Sequence, residues 1–237
     1  MRDQGDSCDC LTKLFTIPKS YLASEFLVAN CIVENRDDYK EKYMLAGGAL
    51  GEDISQIPMS SICRRFAHRW RGLRSDSGIP TLQTYLTNPD PTLQPNTILI
   101  DVISSSLLRV RLFATGLVSM GGIDLTGSNL LDFADSADTA TEMWKTTHLI
   151  TDHPCALLST KLASTASGRH VSIQEISFPV LPFQGSPPCL VSGISLIKAL
   201  DFRDTVFRVV SYTEARWIDI GYGIPDHVVD ISAPIEE

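Results

Sequence analysis

The hydrophobic pattern between Thr97 and Phe113 constrains the fold of this chain more than any other feature. The segments TILIDVI (97–103) and LLRVRLF (107–113) both alternate apolar side chains with others, and a serine turn separates them. Alternation with a period of two is typical of a strand with one buried face, and two such runs joined by a short turn predict an antiparallel hairpin. We therefore expect an antiparallel sheet built around this hairpin.

The segment that follows the hairpin changes direction often. Its small residues are Ala114, Gly116, Gly121, Gly122 and Gly127. They allow only one or two helical turns before the chain must reverse, which predicts a set of short helices lying across the sheet. A longer helix is predicted from about Ala137 to Thr151, with Ser136 or Asp138 as its N-cap and Pro154 at its end.

Three further segments have the pattern of strands: 156–163, 170–180 and 188–198, joined by the turn-rich ASGR (166–169) and QGSPP (184–188). In the second of them the apolar positions change parity between Ile173 and Ile176, which predicts a β-bulge near Glu175. The later stretch DTVFRVVSYTEARWIDIGYG is compatible with a strand or with a helix.

An amphipathic helix is predicted from residue 60 to residue 77. Ile62, Phe66, Trp70 and Leu73 recur at helical spacing, and Ser60 or Ser61 can cap the N-terminus. The opposite face carries Arg64, Arg65, Arg69, Arg71 and Arg74. These arginines could dock an acidic partner surface or could pair with carboxylates of this same chain.

Composition and charge exclude several classes of protein. The chain has 237 residues with a net charge of −8, which argues against a general nucleic-acid binder. It has no run of apolar residues long enough to span a membrane, and the acidic start MRDQGDSCDC does not resemble a signal peptide. The six cysteines are scattered along the chain without the dense spacing of a disulfide framework, so we expect them to be reduced thiols. We expect a cytoplasmic protein.

The order of these elements resembles a PAS domain, and in particular a family of single-PAS proteins of alphaproteobacteria that are largely of unknown function. The resemblance covers residues 60 to about 200. It rests on a W-x-x-L-R helix, a G-x-P turn, a D-V strand end, an R-x-R-L strand, a T-G pair and a D-L-T-G turn. These are found at Trp70, Leu73 and Arg74, at Gly78 and Pro80, at Asp101 and Val102, at Arg109, Arg111 and Leu112, at Thr115 and Gly116, and at 124–127. The SDSG after Arg74 is longer than in the family pattern.

The resemblance implies an α+β fold. A five-stranded antiparallel sheet would carry short helices and one long helix on one face, preceded by an N-terminal helical extension. The domain limits become 1–58 for an extension of uncertain structure, 59–200 for the PAS-like domain with its flanking helix, and 201–237 for a C-terminal tail. Family members that bind a ligand hold it between the helices and the sheet. The residues expected to line this pocket and bind a small apolar ligand are Met120, Ile123, Phe133, Met143, Trp144 and His148.

The resemblance further implies a non-catalytic sensory or protein-interaction module. No kinase, cyclase or DNA-binding output domain fits into the residues after 200, so a signal would have to pass to a partner protein. A homodimer formed through the helix at 60–77 is also expected, because PAS domains often pair through this region. The sequence does not identify a cofactor, and we expect no nucleic-acid or membrane partner.

Two alternatives remain open, a haem sensor and an enzyme that reuses the fold. His148 lies at the edge of the apolar face of the long helix, where some haem-binding PAS sensors hold iron. An enzyme would require titratable groups converging in the cleft. Zinc binding by His148, His153 and Cys155 matches no standard spacing, and metal is not predicted.

Several specific chemistries lack their motifs. No G-x-S-x-G motif is present, GGALGE (47–52) lacks the Lys-Ser/Thr of a phosphate loop, and no cysteine between residues 64 and 154 could serve a cysteine-based flavin photosensor. Arg109 and Arg111 share one strand face, and we expect them to project to solvent or towards the N-terminal helix.

Overall fold

A computed structural model of the chain describes residues 51–232, except 52, 75–77, 166, 198–205, 227 and 229–230. The expected N-terminal extension lies outside the described residues as far as residue 50. All described residues belong to one of the two units into which the chain divides, the unit of residues 42–237.

One antiparallel sheet of seven strands, in the order β2-β1-β5-β4-β3-β6-β7, forms the centre of the fold. The strands are β1 (Thr97–Ser104), β2 (Leu107–Phe113), β3 (Ala156–Thr165), β4 (His170–Val180), β5 (Cys189–Leu196), β6 (Val206–Ile218) and β7 (Ile231–Ser232). The five strands predicted from the alternating segments are confirmed. The stretch whose structure the pattern left undecided is β6, which pairs with β3 and extends the sheet.

Within the described residues, four α-helices accompany the sheet: α1 (Ser61–Gly72), α2 (Leu82–Thr87), α3 (Thr115–Gly121) and α4 (Ala137–Asp152). The predicted caps are confirmed, because Ser60 accepts from the N–H of Cys63 at 3.2 Å and Ser136 accepts from the N–H of Thr139 at 3.1 Å. The helix predicted over 60–77 ends earlier, at Gly72, as expected from the low helix propensity of glycine.

The helices between β2 and β3 all lie over one face of the sheet, called the inner face. Side chains of β1, β3 and β5 on this face, among them Ile100, Leu157 and Leu190, form a core cluster with Ile150 of α4. Met120 of α3 packs against the same cluster. The α+β architecture expected from the PAS resemblance is therefore confirmed: an antiparallel sheet carries short helices and one long helix on one face.

Helix α1 covers the opposite, outer face of the sheet. The ring of Trp70 stacks on Phe178 of β4 at 4.8 Å between centroids, and its indole Nε1 donates to the carbonyl of Pro179 at 2.9 Å. Cys63, Phe66 and Trp70 are completely buried. The apolar stripe that we expected at a dimer interface is thus buried against the sheet of the same chain.

Burial of both faces explains an error in the sequence prediction for β4. Strand β4 pairs with β3 on one side and with β5 on the other, and neither pairing has a register shift. The bulge predicted near Glu175 is therefore wrong. Ile176 faces α1 on the outer face, whereas Glu175 faces α4 on the inner face. The change of apolar parity therefore reflects a strand that is buried on two sides, not an inserted residue.

The D-L-T-G turn and the residues after it cover the free edge of β2. The N–H of Gly127 donates to the carbonyl of Val110 at 2.7 Å, and the N–H of Val110 donates to the carbonyl of Ser128 at 2.9 Å. The N–H of Leu108 donates to Oδ1 of Asn129 at 3.0 Å. Gly127 has a φ of 87°, which favours glycine. This closely turned segment therefore satisfies a strand edge that would otherwise be exposed.

The contact between α1 and the sheet leads to a test with two glycines. A Cβ on Gly193 would lie 2.5 Å from the Phe66 ring, whereas a Cβ on Gly72 would meet nothing within 4 Å. We expect Gly193→Ala to destabilise the protein by about 1–3 kcal/mol through overpacking. Gly72→Ala should be neutral or stabilising by up to about 1 kcal/mol.

Urea denaturation measures both free energies of unfolding. Combining Gly193→Ala with Phe66→Leu, which makes room at the contact, should recover part of the loss. Equal effects of the two glycine substitutions would contradict the docking of α1 on β5.

Candidate functional site

Among the described residues, a cavity of about 20 Å³ lies between α4 and the inner face, where the PAS resemblance places a ligand pocket. It is lined by residues of β1, β3, β4, β5, β6 and α4. A cavity of this size has room for about one water molecule. The site is therefore a contact between α4 and the sheet in which side chains occupy the centre.

A buried ion pair lies in this contact. Lys161 of β3 and Glu175 of β4 both face α4, with side chains only 13% and 10% exposed, and Nζ of Lys161 donates to Oε2 of Glu175. Ser177 donates to the second carboxylate oxygen, Oε1, at 3.1 Å, and its hydroxyl also lies 2.8 Å from that of Ser192. Both oxygens of the carboxylate therefore have a partner.

The two partners stabilise each other's charged form. Burial alone would raise the pKa of Glu175, but the charge of Lys161 and the hydrogen bonds from Lys161, Ser192 and Ser177 outweigh burial and hold that pKa below its ordinary value. Burial alone would lower the pKa of Lys161, but the charge of Glu175 and the interactions of Lys161 with Glu175 and Tyr212 raise it above its ordinary value. The site therefore holds an ammonium and a carboxylate at neutral pH.

Tyr212 connects this ion pair to both α4 and β6. Nζ of Lys161 lies 5.0 Å from the centroid of the Tyr212 ring, a cation–π contact. The hydroxyl of Tyr212 lies 3.2 Å from Oγ1 of Thr146 on α4. Because the Thr146 hydroxyl donates to the carbonyl of Glu142 at 2.9 Å, Tyr212 is the donor in this contact. One turn before Glu142, Oγ1 of Thr139 donates to the carbonyl of Val210 on β6 at 3.0 Å.

The six residues that the sequence placed in one apolar pocket differ in burial. Met143 is buried and lines the small cavity. Met120, Phe133 and Trp144 are partly buried and pack against the core cluster of the inner face, while Ile123 is 43% exposed. His148 is exposed, and its ring stacks on that of Trp144 at 4.8 Å between centroids.

His148 and His153, the histidines weighed as metal or haem ligands, do not share a site. His148 faces away from the cavity, which is too small for a macrocycle, so the residues present do not fit the haem alternative. Nε2 of His153 contacts the carbonyl of Gly223 at 3.2 Å, and Cys155 is buried. Within the described ranges, no three His, Cys, Asp or Glu side chains are grouped to hold a metal ion.

The arginines of β2 have a structural partner on the outer face. Asp101 is 1% exposed, and its carboxylate oxygens lie 3.2 Å from Nη2 of Arg109 and 2.6 Å from Nη2 of Arg111. We expected these arginines to reach solvent or the N-terminal helix, and Arg109 is indeed half exposed. A buried carboxylate needs paired charges, and the two arginines supply them for Asp101. Their role in the sheet is therefore structural.

The arginines of α1 also bind their own chain. Arg65 pairs with Asp90 at 3.4 Å. Arg64 donates to the carbonyl of Ser55 at 3.0 Å, and Arg74 donates to the carbonyl of Gly78 at 3.0 Å. The basic face of the helix is thus partly engaged within the chain, mostly by backbone carbonyls.

Sequence reasoning missed Lys161, Glu175 and Tyr212. Two signals could have found the first two: Lys161 is the one charged residue of LLSTKLA, and Glu175 stands at the parity change of the next strand. A charged residue at a core position of each of two adjacent antiparallel strands favours a buried cross-strand ion pair. No local pattern indicates Tyr212.

Comparisons with known proteins give weak structural likenesses. No protein-family model and no curated protein matches the chain. Among solved structures, the chain is similar to a point variant of RsLOV, with 13% identity and a TM-score of 0.36, covering 45% of this chain and 62% of that one. It is similar to the Rhodobacter sphaeroides LOV protein, with 13% identity and a TM-score of 0.34, covering 43% and 58%. For a fungal LOV domain photoreceptor the identity is 14% and the TM-score 0.35, covering 47% and 85%.

The chain thus spans less than two thirds of the first two of these structures. Likenesses at these TM-scores support no conclusion about function, and the PAS-like architecture rests on strand order and on the helices of the inner face. None of the described helices is long and apolar enough to cross a bilayer.

The ion pair gives a test based on substitutions. Lys161→Met or Glu175→Met alone should destabilise the protein by about 3 kcal/mol, because each leaves a buried charge without its partner. The double variant Lys161→Met/Glu175→Met should be clearly more stable than the less stable single variant. Arg65→Gln, which breaks the exposed pair with Asp90, should cost less than about 1 kcal/mol and serves as the control. Urea denaturation of all variants measures these costs, and independent, additive effects of the two single substitutions would contradict a coupled pair.

The same pair predicts a pH dependence at both extremes. The pKa of Glu175 is lowered in the fold, so its stabilisation is present above its ordinary pKa of 4.5 and is lost as the pH falls through the folded value. The pKa of Lys161 is raised, so its stabilisation is present below 10.5 and is lost as the pH rises through the folded value.

The natural chain should therefore be most stable relative to Lys161→Met/Glu175→Met between these limits, so the difference between their free energies of unfolding should be largest there. Thermal unfolding across pH measures the difference. A difference that does not change with pH would show that the two groups are not charged partners.

Proposed function

We propose that the chain is a non-catalytic PAS-type module that senses a condition or binds a protein, and that it passes its signal to a partner protein in the cytoplasm. The support comes from the inner face, where side chains fill the space between α4 and the sheet and the two charged groups bind each other. A dimer remains part of this proposal. Because the apolar stripe of α1 is buried, such a dimer would have to use a surface other than that stripe.

The filled cavity with its ion pair is the observation that carries the non-catalytic part of the proposal. A general acid or base works best with a pKa near the working pH. For Glu175 this would require a raised pKa and for Lys161 a lowered one. The structure instead holds the pKa of Glu175 below and that of Lys161 above its ordinary value. A cavity of about 20 Å³ also leaves no space for an organic substrate.

An enzyme that reuses the fold is the second candidate, and one observation favours it. Lys161, Glu175 and Tyr212 converge in the cleft and two of them have shifted pKa values, as catalytic groups often do. Structural ion pairs cause the same shifts. The directions of the shifts and the lack of room favour the structural role.

The sensory part of the proposal rests on how α4 is attached. Buried threonines and the Tyr212 hydroxyl make up part of the contact between α4 and the inner face, beside the small cavity. Hydrogen bonds from Tyr212 and Thr139 join α4 to β6. A change in the ion pair would therefore alter α4 and β6 together, and a partner in contact with either element could detect it.

Hydrogen exchange of the full chain tests this coupling. In Lys161→Met/Glu175→Met, we expect faster amide exchange in α4 and in β6, because Tyr212 loses the ammonium it faces. Exchange in α1, on the outer face, should stay unchanged. A change confined to β3 and β4, or an equal change in all elements, would contradict the proposed transmission.

Two further readouts on the natural chain address the alternatives. An absorbance spectrum should lack a Soret band, and a band that disappears in His148→Ala would replace the proposal with a haem sensor. With an amine-reactive label at neutral pH, Lys161 should react far more slowly than the exposed Lys145. Preferential labelling of Lys161 would instead favour an enzyme with a nucleophilic amine.

A further inference from the structure

A groove of about 400 Å³ opens on the outer side of the sheet, beside β1, β2 and α2. Its walls are mostly apolar: Leu99 of β1, Leu112 of β2, Tyr85 and Leu86 of α2, and the prolines of the loop between α2 and β1. Leu86 and Leu112 are 44% and 37% exposed, so apolar surface faces the groove. The volume and lining match those of small-molecule pockets, which have roughly 300–1,000 Å³ and a few polar groups.

Arg69 supplies a cation at this groove. Its guanidinium lies 5.1 Å from the centroid of the Tyr85 ring, and its Nη2 donates to the Tyr85 carbonyl at 3.2 Å. Within the described part of the chain, no carboxylate forms an ion pair with Arg69. The acidic residue of the groove, Asp90, is already engaged by Arg65 at 3.4 Å and by the hydroxyl of Thr92 at 2.6 Å.

We propose that the groove binds a small monocarboxylate with an apolar body, of the kind that a medium-chain fatty acid represents. The carboxylate binds the guanidinium of Arg69, and the hydrocarbon part packs between Leu86 and Leu112. Arginine suits this role because its planar donors match a carboxylate and remain charged at every physiological pH. The hydrocarbon part covers the exposed leucines and removes apolar surface from water.

The size of the apolar surface favours a small molecule over a protein partner. A specific protein interface buries roughly 800 Å² on each partner. In this groove, the exposed apolar side chains are Leu86, Leu112, Pro89 and Pro91, which is enough for a short hydrocarbon chain but not for the core of an interface. The groove lies on the outer side of the sheet, away from the ion pair, so this inference goes beyond the proposed function and does not depend on it.

Isothermal titration of the full chain with octanoate and with octanol tests the proposal. The natural chain should bind octanoate about tenfold more tightly than octanol, because only octanoate can pair with Arg69. Arg69→Gln should weaken octanoate binding about tenfold and leave octanol binding unchanged. Leu86→Ser should weaken the binding of both probes several-fold.

Matched controls separate the groove from general effects. Arg64→Gln removes another arginine of α1 that does not line the groove, and Ile123→Ser removes another half-exposed apolar side chain outside it. Both variants should bind octanoate as the natural chain does. Because Leu86 and Ile123 are similarly exposed, their serine variants should also fold equally well.

Four results would overturn the proposal. Equal affinities for octanoate and octanol would remove the role of Arg69, and octanoate binding unaffected by both groove variants would place the ligand elsewhere. If neither probe binds and Leu86→Ser shifts the sedimentation of the chain from a larger to a smaller species, the groove is an interface with a second copy. If neither probe binds and sedimentation is unchanged, the groove does not recognise monocarboxylates.

Discussion

The ion pair between Lys161 and Glu175 is the interaction on which the inner face depends. Separating two opposite charges in a poorly hydrated space costs free energy, so another molecule cannot readily displace them from the space that they occupy. The serine hydroxyls on one side and the Tyr212 ring on the other satisfy the remaining surface of the pair. In this chain the centre of a PAS-like pocket is therefore made of its own side chains.

Coverage of both faces of the sheet follows from the same sequence. Helix α1 buries Phe66 and Trp70 against β4 and β5 on the outer face, while α4 covers the inner face of the same strands. Strand β6 then extends the sheet beyond β3 and carries Tyr212 into the contact with α4. The central strands are thus held from two sides, and β6 is placed where it can report the position of α4.

Elements with a strong local signal could be predicted from the sequence. Period-two alternation identified strands β1 to β5, and serine caps with helical spacing identified α1 and α4. Strand β6 could not be assigned, because its pairing with β3 shifts register at three places, among them Thr160/Lys161, and each shift disturbs the alternation. The error near Glu175 has a related cause, since a strand buried on both faces shows no single apolar parity.

The site was harder to predict than the fold. Met143, Trp144 and His148 are close in sequence, but successive residues of a helix are rotated by about 100°, which places Met143 in the core and His148 at the surface. Lys161 and Glu175 become neighbours only once the register of β3 on β4 is known. Their meeting depends on tertiary pairing, whereas the sequence shows only two isolated charges inside strands.

Nitrogen-15 NMR of the Lys161 ammonium group, assigned by comparison with Lys161→Met, tests whether Lys161 and Glu175 form a buried charged pair. We expect an ammonium resonance that is observable at neutral pH because its protons exchange slowly, and that disappears or moves strongly in Glu175→Gln. A Lys161 side chain that exchanges as fast as the exposed Lys145, and that does not respond to Glu175→Gln, would contradict such a pair.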